Sequence, residues 1–223
     1  MIDSSETASK IAIVDDHPIV RQGLGQLIAC QDDMTVCGEA EDIASALEMI
    51  QQTSPDLLVL DIALPDGSGV DLIEQLKVST PHLPILVLSM HDESFYAERV
   101  LRAGARGYIT KSQASESVIE AIRKIIGGQL YLSEKTASRM LARLVGTPST
   151  DSRRPIDRLT NRELQIYEFI GVGMATRLIA KKLHISAKTV ESHRENIKRK
   201  LNVASASELL QHAIKWVQTE NIP

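Results

Sequence analysis

Aromatic residues make up only 3% of this 223-residue sequence. Any core must therefore be aliphatic, and pockets that stack flat ligands between rings are disfavoured. Before residue 131 the only aromatics are Phe95, Tyr96 and Tyr108. Cysteine is nearly absent. Cys30 and Cys37 match no metal-ligand spacing, so they read as small hydrophobes in a reducing compartment. Residues 1–10 are polar and lack the apolar centre of a signal peptide. No apolar run approaches the roughly 18 residues that cross a bilayer. These absences predict a cytoplasmic chain with no membrane partner.

The length is too great for one average domain and suits two. Hydrophobic residues, at 43%, are enough to build packed cores. The net charge of −4 hides a division. Residues 1–151 carry 22 acidic and 12 basic side chains, whereas residues 152–223 carry 7 and 13. An acidic half beside a basic half predicts that only the second meets a polyanion.

Residues 1–9 read as a disordered tail. Ile11 to Val14 is an apolar run ending in Asp15 and Asp16. Ile19, Val20, Leu24, Leu27 and Ile28 follow at helical spacing. Four further strand–helix units succeed it, with strands at Met34–Cys37, Leu57–Leu60, Pro84–Ser89 and Gly107–Lys111. Strict alternation predicts an α/β domain with a doubly wound, five-stranded parallel sheet, and in the flavodoxin-like order 2-1-3-4-5 its first and third strands are neighbours. Gly127 and Gly128 end the fifth helix. Residues 129–155 read as a linker holding one helix at about 133–145, with Ser133 as its cap. From residue 156 no strand pattern recurs. Thr160 and Glu163 form a capping box, and two helices around a turn at His184–Ser186 predict an all-α helix-turn-helix domain.

The third strand organises the first half. Leu57 to Leu60 is apolar throughout and ends in Asp61, at the carboxyl end where open α/β sheets bind ligands. Asp15 and Asp16 end the neighbouring strand. Three crowded carboxylates repel one another and raise one another's pKa values. A hard divalent cation relieves that conflict, and Mg²⁺ suits a site that also handles phosphate. With its neighbours neutralised, Asp61 stays ionised and attacks phosphorus. Ser89 offers a hydroxyl and Lys111 a cation at two further strand ends.

With those residues in register, the stretch 10–128 resembles the CheY-like receiver domain of two-component response regulators. It matches at Val14-Asp15-Asp16, Leu60-Asp61-Ile62-Ala63-Leu64-Pro65-Asp66-Gly67, Ser89, Tyr108 and Lys111. The resemblance implies that a sensor histidine kinase phosphorylates Asp61. It also implies that Asp15, Asp16, Asp61 and the backbone carbonyl of Ala63 hold Mg²⁺. Ser89 and Lys111 would then grip the phosphoryl oxygens, and Tyr108 would turn inward as the conformational relay. The family often has proline after the lysine. Ser112 stands there instead, so a trans peptide is expected.

In the basic half, a helix turns about 100° per residue. Val190, Ile197 and Leu201 share one face, and Lys188, Ser192, Glu195 and Arg199 lie opposite. Lys198, Arg199 and Lys200 cluster near the helix end, within reach of phosphates. Residues 156–223 resemble the LuxR-type DNA-binding domain, through Leu159-Thr160-Asn161-Arg162-Glu163, Ile179 to Ser186 and Lys188 to Ile197. The whole chain is thus similar to a NarL/FixJ-type response regulator. The expected contacts to double-stranded DNA are Lys188, Thr189, Glu191, Ser192, Glu195, Lys198 and Arg199. A homodimer is expected to form on activation through Leu209, Leu210 and Ala213. Two departures stand out. Ala175-Thr176 replaces the usual Ser-Asn, leaving Thr176 to cap. Glu191 and Glu195 occupy positions where relatives often use lysine, and Glu195 is suited to accept from cytosine N4.

The reading is therefore a DNA-binding transcriptional response regulator with Mg²⁺ as its ion, no small-molecule cofactor and no enzymatic turnover. Aspartyl-phosphate phosphatases place a second acid two residues after the nucleophile, where this chain has Ala63. Receptors for small apolar signals need aromatics that the first half lacks.

Overall fold

A computed structural model of the chain describes residues 8–90, 93–145 and 155–220. It forms two compact units, residues 1–145 and 146–223. In the first, strands β1 (Ser9–Val14), β2 (Met34–Ala40), β3 (Leu57–Leu60), β6 (Ile85–Ser89) and β7 (Gly107–Thr110) make one parallel sheet in the order β2-β1-β3-β6-β7. This is the expected winding. The shift in strand numbers comes from β4 (Ala63–Leu64) and β5 (Gly67–Ser68), a two-residue hairpin too short to show any periodicity.

Helices α1 (Pro18–Ala29), α2 (Ile43–Thr53), α3 (Gly69–Ser79), α4 (Glu93–Ala103) and α5 (Ala114–Ile126) alternate with the main strands. Ile11, Ile13, Leu57, Val59, Leu86, Leu88 and Ile109 pack against Leu24, Ile28, Val118, Ile122 and Ile125. All four residues of β3 are buried, which accounts for its unbroken apolar sequence. Ile19, expected on the inner stripe of α1, instead faces outward and is 76% exposed.

The unstructured tail expected over residues 1–9 lies largely outside the described residues. Its last member, Ser9, begins β1 and donates its N–H to Asp33 O at 2.9 Å. Residues 129–145 fold with the first unit. Tyr131 N donates to Arg106 O, and Tyr131 O accepts from Tyr108 N, each at 3.0 Å, so the run flanks β7. Helix α6 (Glu134–Val145) follows, capped by Ser133 Oγ on Thr136 N. Glu93 Oε1 accepts from Ser133 N at 3.0 Å, which joins the start of α4 to this cap. The later part of the expected linker, residues 146–154, lies outside the described residues. Among the described residues no peptide bond is cis, so the Lys111–Ser112 bond is trans as expected.

The second unit is helical: α7 (Asn161–Gly171), α8 (Thr176–Lys182), α9 (Ala187–Leu201) and α10 (Ala206–Glu220). The capping box is complete, with Thr160 Oγ1 on Glu163 N and Glu163 Oε2 on Thr160 N. Ser186 caps α9 through Thr189 N. Thr176 does not cap α8. The N-cap residue is Ala175, which has no side-chain group to offer, and Thr176 Oγ1 is turned toward α9 instead. Gly171 lets α7 cross α10 closely, since a Cβ there would stand 2.7 Å from Ala213 O.

The same Glu163 carboxylate meets Lys200 Nζ at 2.5 Å and so ties α7 to α9. Burial alone would raise its pKa, but the Lys200 ammonium and the Thr160 N–H outweigh burial and hold the carboxyl below its usual range. The unfolded chain therefore takes up this proton first. The stabilisation is fully present above about pH 4.5 and is lost as the pH falls through the lower folded value. Glu163→Gln should cost about 2–3 kcal/mol at neutral pH, with the difference from wild type shrinking below about pH 4. Urea unfolding followed by the fluorescence of Trp216, the single tryptophan, reports this unit.

Candidate functional site

Strand register builds the first site. Val14 pairs with Leu60, so the next residues along each strand, Asp15 and Asp61, stand side by side at the sheet's carboxyl edge. The ladder continues past the strand ends, with Asp15 N on Ala40 O and Asp61 N on Val14 O. Both acids are fixed by main chain before any side chain acts. Asp15 is 1% exposed and Asp61 is 3% exposed.

Lys111 follows β7 and reaches back between them. Its ammonium stands 2.6 Å from Asp15 Oδ2 and 2.6 Å from Asp61 Oδ2. Two buried carboxylates thus share one cation. Burial pushes the Asp61 pKa up and Asp15 adds to the rise, while Lys111 offsets only part of it. Burial favours the neutral amine of Lys111, but Asp61 and Asp15 outweigh it and raise that pKa. Ala63 N donates to Asp61 Oδ1 at 3.2 Å. Asp16 is half-buried at the rim, Ser89 is buried at the end of β6, and Tyr108 points inward from β7.

Three residues of this site escaped the sequence reading. His17 places its ring Nδ1 3.2 Å from Asp15 Oδ1 and 2.5 Å from Asp16 Oδ1. Arg21 Nη1 donates to the Asp15 carbonyl at 2.5 Å. Gly69 lies directly beneath Asp61, where a Cβ would fall within 2.9 Å of Ile62 Cα. The His17 signal was available, since it follows the two acids immediately. The Gly69 constraint depends on how the β4–β5 hairpin folds back. Asp66, at the tip of that hairpin, accepts from Ile43 N and Ala44 N and fastens the loop to α2.

The donor set suits a hard cation. Ligand atoms of Asp15, Asp16, His17 and Asp61 lie within 4.8 Å of one another, and the excess of buried negative charge has one ammonium to oppose it.

In the second unit, α9 turns Val190 and Ile197 inward and exposes Lys188, Thr189, Glu191, Ser192, Glu195 and Arg199. Lys198 is half-buried and pairs with Glu195 at 2.8 Å. Ser192 Oγ donates to Lys188 O on its own helix. Glu191 accepts from Thr176 Oγ1 at 2.8 Å and lies 3.7 Å from Arg194 Nε, so it braces α8 against α9. The expected dimer residues divide. Leu209 and Ala213 are fully buried within the unit, where α10 packs against α7, and cannot line a surface; Leu210 alone is exposed.

Residues 11–123 match the response regulator receiver domain, and residues 157–213 match the bacterial regulatory proteins of the luxR family. The oxygen regulatory protein NreC of Staphylococcus carnosus is 38% identical over 210 residues, spanning 92% of this chain and 97% of that protein. The chain belongs to the two-component response regulators. It joins a receiver domain to a LuxR-type DNA-binding domain, and its family is one of DNA-binding transcriptional regulators rather than enzymes. A solved RcsB response regulator of Salmonella typhimurium aligns with a TM-score of 0.64 at 26% identity, covering 93% of this chain and 98% of that one. RcsB bound to promoter rprA in the presence of a phosphomimetic aligns at 0.60 and 26% identity, covering 92% and 98%. A LuxR-family response regulator from an Aurantimonas species is 33% identical with a TM-score of 0.57, covering 62% of this chain and 99% of that one.

The receiver pocket holds more buried negative charge than its own cations neutralise. Because the folded Asp61 pKa is raised, stability falls as the pH climbs from the ordinary carboxylate range to that raised value, and the penalty is fully present above it. Asp61→Asn should therefore stabilise the response regulator at neutral pH, by roughly 1 kcal/mol without divalent cations. Added Mg²⁺ should stabilise wild type more than the variant. Urea melts with and without the cation measure both effects.

Proposed function

We propose that this response regulator is switched by transfer of a phosphoryl group from a histidine of a sensor kinase to Asp61. An Asp61 carboxylate oxygen attacks phosphorus, the kinase's N–P bond breaks, and the electron pair returns to the imidazole. The observation that carries the reading is the sharing of Lys111 between Asp15 and Asp61. An ammonium held by two carboxylates can turn to the phosphoryl oxygens without leaving a buried cation unpaired.

Mg²⁺, held by Asp15, Asp16, Asp61 and the Ala63 carbonyl, would lower the repulsion between nucleophile and phosphate. Ala63 N–H already steadies the Asp61 carboxylate. Ser89 receives one phosphoryl oxygen and Lys111 another. Tyr108, buried on β7, packs toward the space that Ser89 leaves. The surface formed by α4, β7 and α5 is thereby biased between two states.

The output is double-stranded DNA. Helix α9 enters the major groove, with Thr189, Ser192 and Glu195 toward base edges and Lys188, Lys198 and Arg199 toward phosphates. Glu191, braced on Thr176, orients the helix. Activated chains pair as a homodimer that spans two half-sites, with Leu210 rather than Leu209 or Ala213 at the surface of α10. The protein works in the cytoplasm, as the scarcity of long apolar segments supports; no described helix is long and apolar enough to cross a membrane.

Acetyl phosphate with Mg²⁺ should load wild type with acid-labile phosphate and tighten its DNA binding; Asp61→Asn should take up none. Phosphate uptake undiminished in that variant overturns the assignment of Asp61. For the base contact, Glu195→Ala should lose its preference for cytosine at one position by about tenfold or more. A site selection identical to that of wild type would remove Glu195 from the readers.

A further inference from the structure

We propose that His17 is a nitrogen donor of the divalent-cation site, so that the pocket discriminates in favour of a transition cation that accepts imidazole over Mg²⁺. The proposal rests on the reading that Asp15, Asp16 and Asp61 hold a cation, and extends it to a residue of different chemistry.

Geometry turns the ring toward the acids, with Nδ1 hydrogen-bonded to Asp15 Oδ1. His17 is the N-cap residue of α1, yet its side chain makes no capping hydrogen bond. Its backbone is extended, with φ −96° and ψ 108°, the conformation that the following Pro18 enforces. The His17 N–H donates to Asp15 Oδ1 at 2.8 Å, which locks the ring's origin to the acid. From that anchor Nδ1 reaches inward, to 3.2 Å from Asp15 Oδ1 and 2.5 Å from Asp16 Oδ1.

A second observation points to an ion. Asp16 Oδ1 is a buried atom that, among the described residues, accepts no hydrogen bond. Asp15 Oδ2 is met by the Lys111 ammonium at 2.6 Å. Asp16 Oδ1 meets the ring nitrogen without hydrogen-bond geometry, and the 3.2 Å hydrogen bond of Nδ1 to Asp15 Oδ1 would give way as the ring turns its lone pair to an ion. The four donor atoms lie within 4.8 Å of one another. Opposite ligands of one small cation stand about 4.2 Å apart, so a closure of a few tenths of an ångström brings all four into a single sphere.

The chemistry of that set is mixed. Three carboxylates suit Mg²⁺ and Mn²⁺ alike, but an imidazole nitrogen adds little for Mg²⁺ and much for Co²⁺, Ni²⁺ or Zn²⁺. The His17 side chain is 56% exposed, so a proton on Nε2 stays solvated while Nδ1 ligates. With the outer nitrogen fixed by water rather than by a protein group, the added preference is modest.

Calorimetric titration of the full chain with Mg²⁺ and with Co²⁺, alongside the visible absorption of bound Co²⁺, tests this. Wild type should bind both ions, with Mg²⁺ displacing Co²⁺ competitively. His17→Asn keeps a polar group at the rim but offers no imidazole. It should lose roughly tenfold in Co²⁺ affinity and alter the Co²⁺ absorption, with Mg²⁺ affinity changed by less than about twofold. His17→Gln should do the same, which guards against a local folding defect. Equal losses for both ions, or none for either, overturn the role of His17 while leaving the acid cluster as the site. If Asp61→Asn leaves both affinities at their wild-type values, the cluster itself is not the cation site and the underlying reading fails.

Discussion

One ammonium held between two buried carboxylates is the constraint on which the first half of this molecule depends. Lys111 can lie 2.6 Å from both Asp15 and Asp61 only if β1, β3 and β7 deliver their ends to one place. The hydrophobic sheet delivers them. Val14 and Leu60 are in register, and the apolar residues beneath exclude the water that would otherwise solvate the acids. An apolar interior that raises the cost of charge, and a register that concentrates charge at its edge, are two consequences of one sequence pattern. The pocket is therefore under electrostatic load at rest, and any cation or phosphoryl group that rebalances it acts on elements already held rigidly.

The second half uses ionic bonds differently. Glu163 and Lys200 join α7 to α9, and Glu191, Thr176 and Arg194 join α8 to α9. These pairs set the angle at which the exposed row of α9 is presented. They also engage the two glutamates on the outward face of that helix. Glu191 is occupied in bracing, and Glu195 is screened by Lys198 at 2.8 Å.

Much of this was legible in the sequence because it depends on periodicity and on strand ends. Five alternating units gave the parallel sheet, and the carboxyl ends gave Asp15, Asp61, Ser89 and Lys111. What stayed hidden depends on distances between segments. The β4–β5 hairpin has too few residues to carry a pattern. Gly69 is required by a fold-back that brings it under Asp61. Leu209 and Ala213 were misread as surface because an amphipathic helix does not declare which partner covers its apolar face; here α7 does. Ile19 shows the converse, an apolar side chain at helical spacing that the core does not take.

The short run at Tyr131 has a consequence for the path of the chain. It is hydrogen-bonded on both sides of Gly107, through Arg106 O and Tyr108 N, and the next turn is fastened to Glu93. The chain that follows α5 therefore runs along the margin of the sheet, beside the tyrosine on β7, before it enters α6. The same bonds occupy part of the β7 edge and leave less of it open to an added strand, so one stretch of backbone both covers the sheet's margin and carries the chain from α5 to α6.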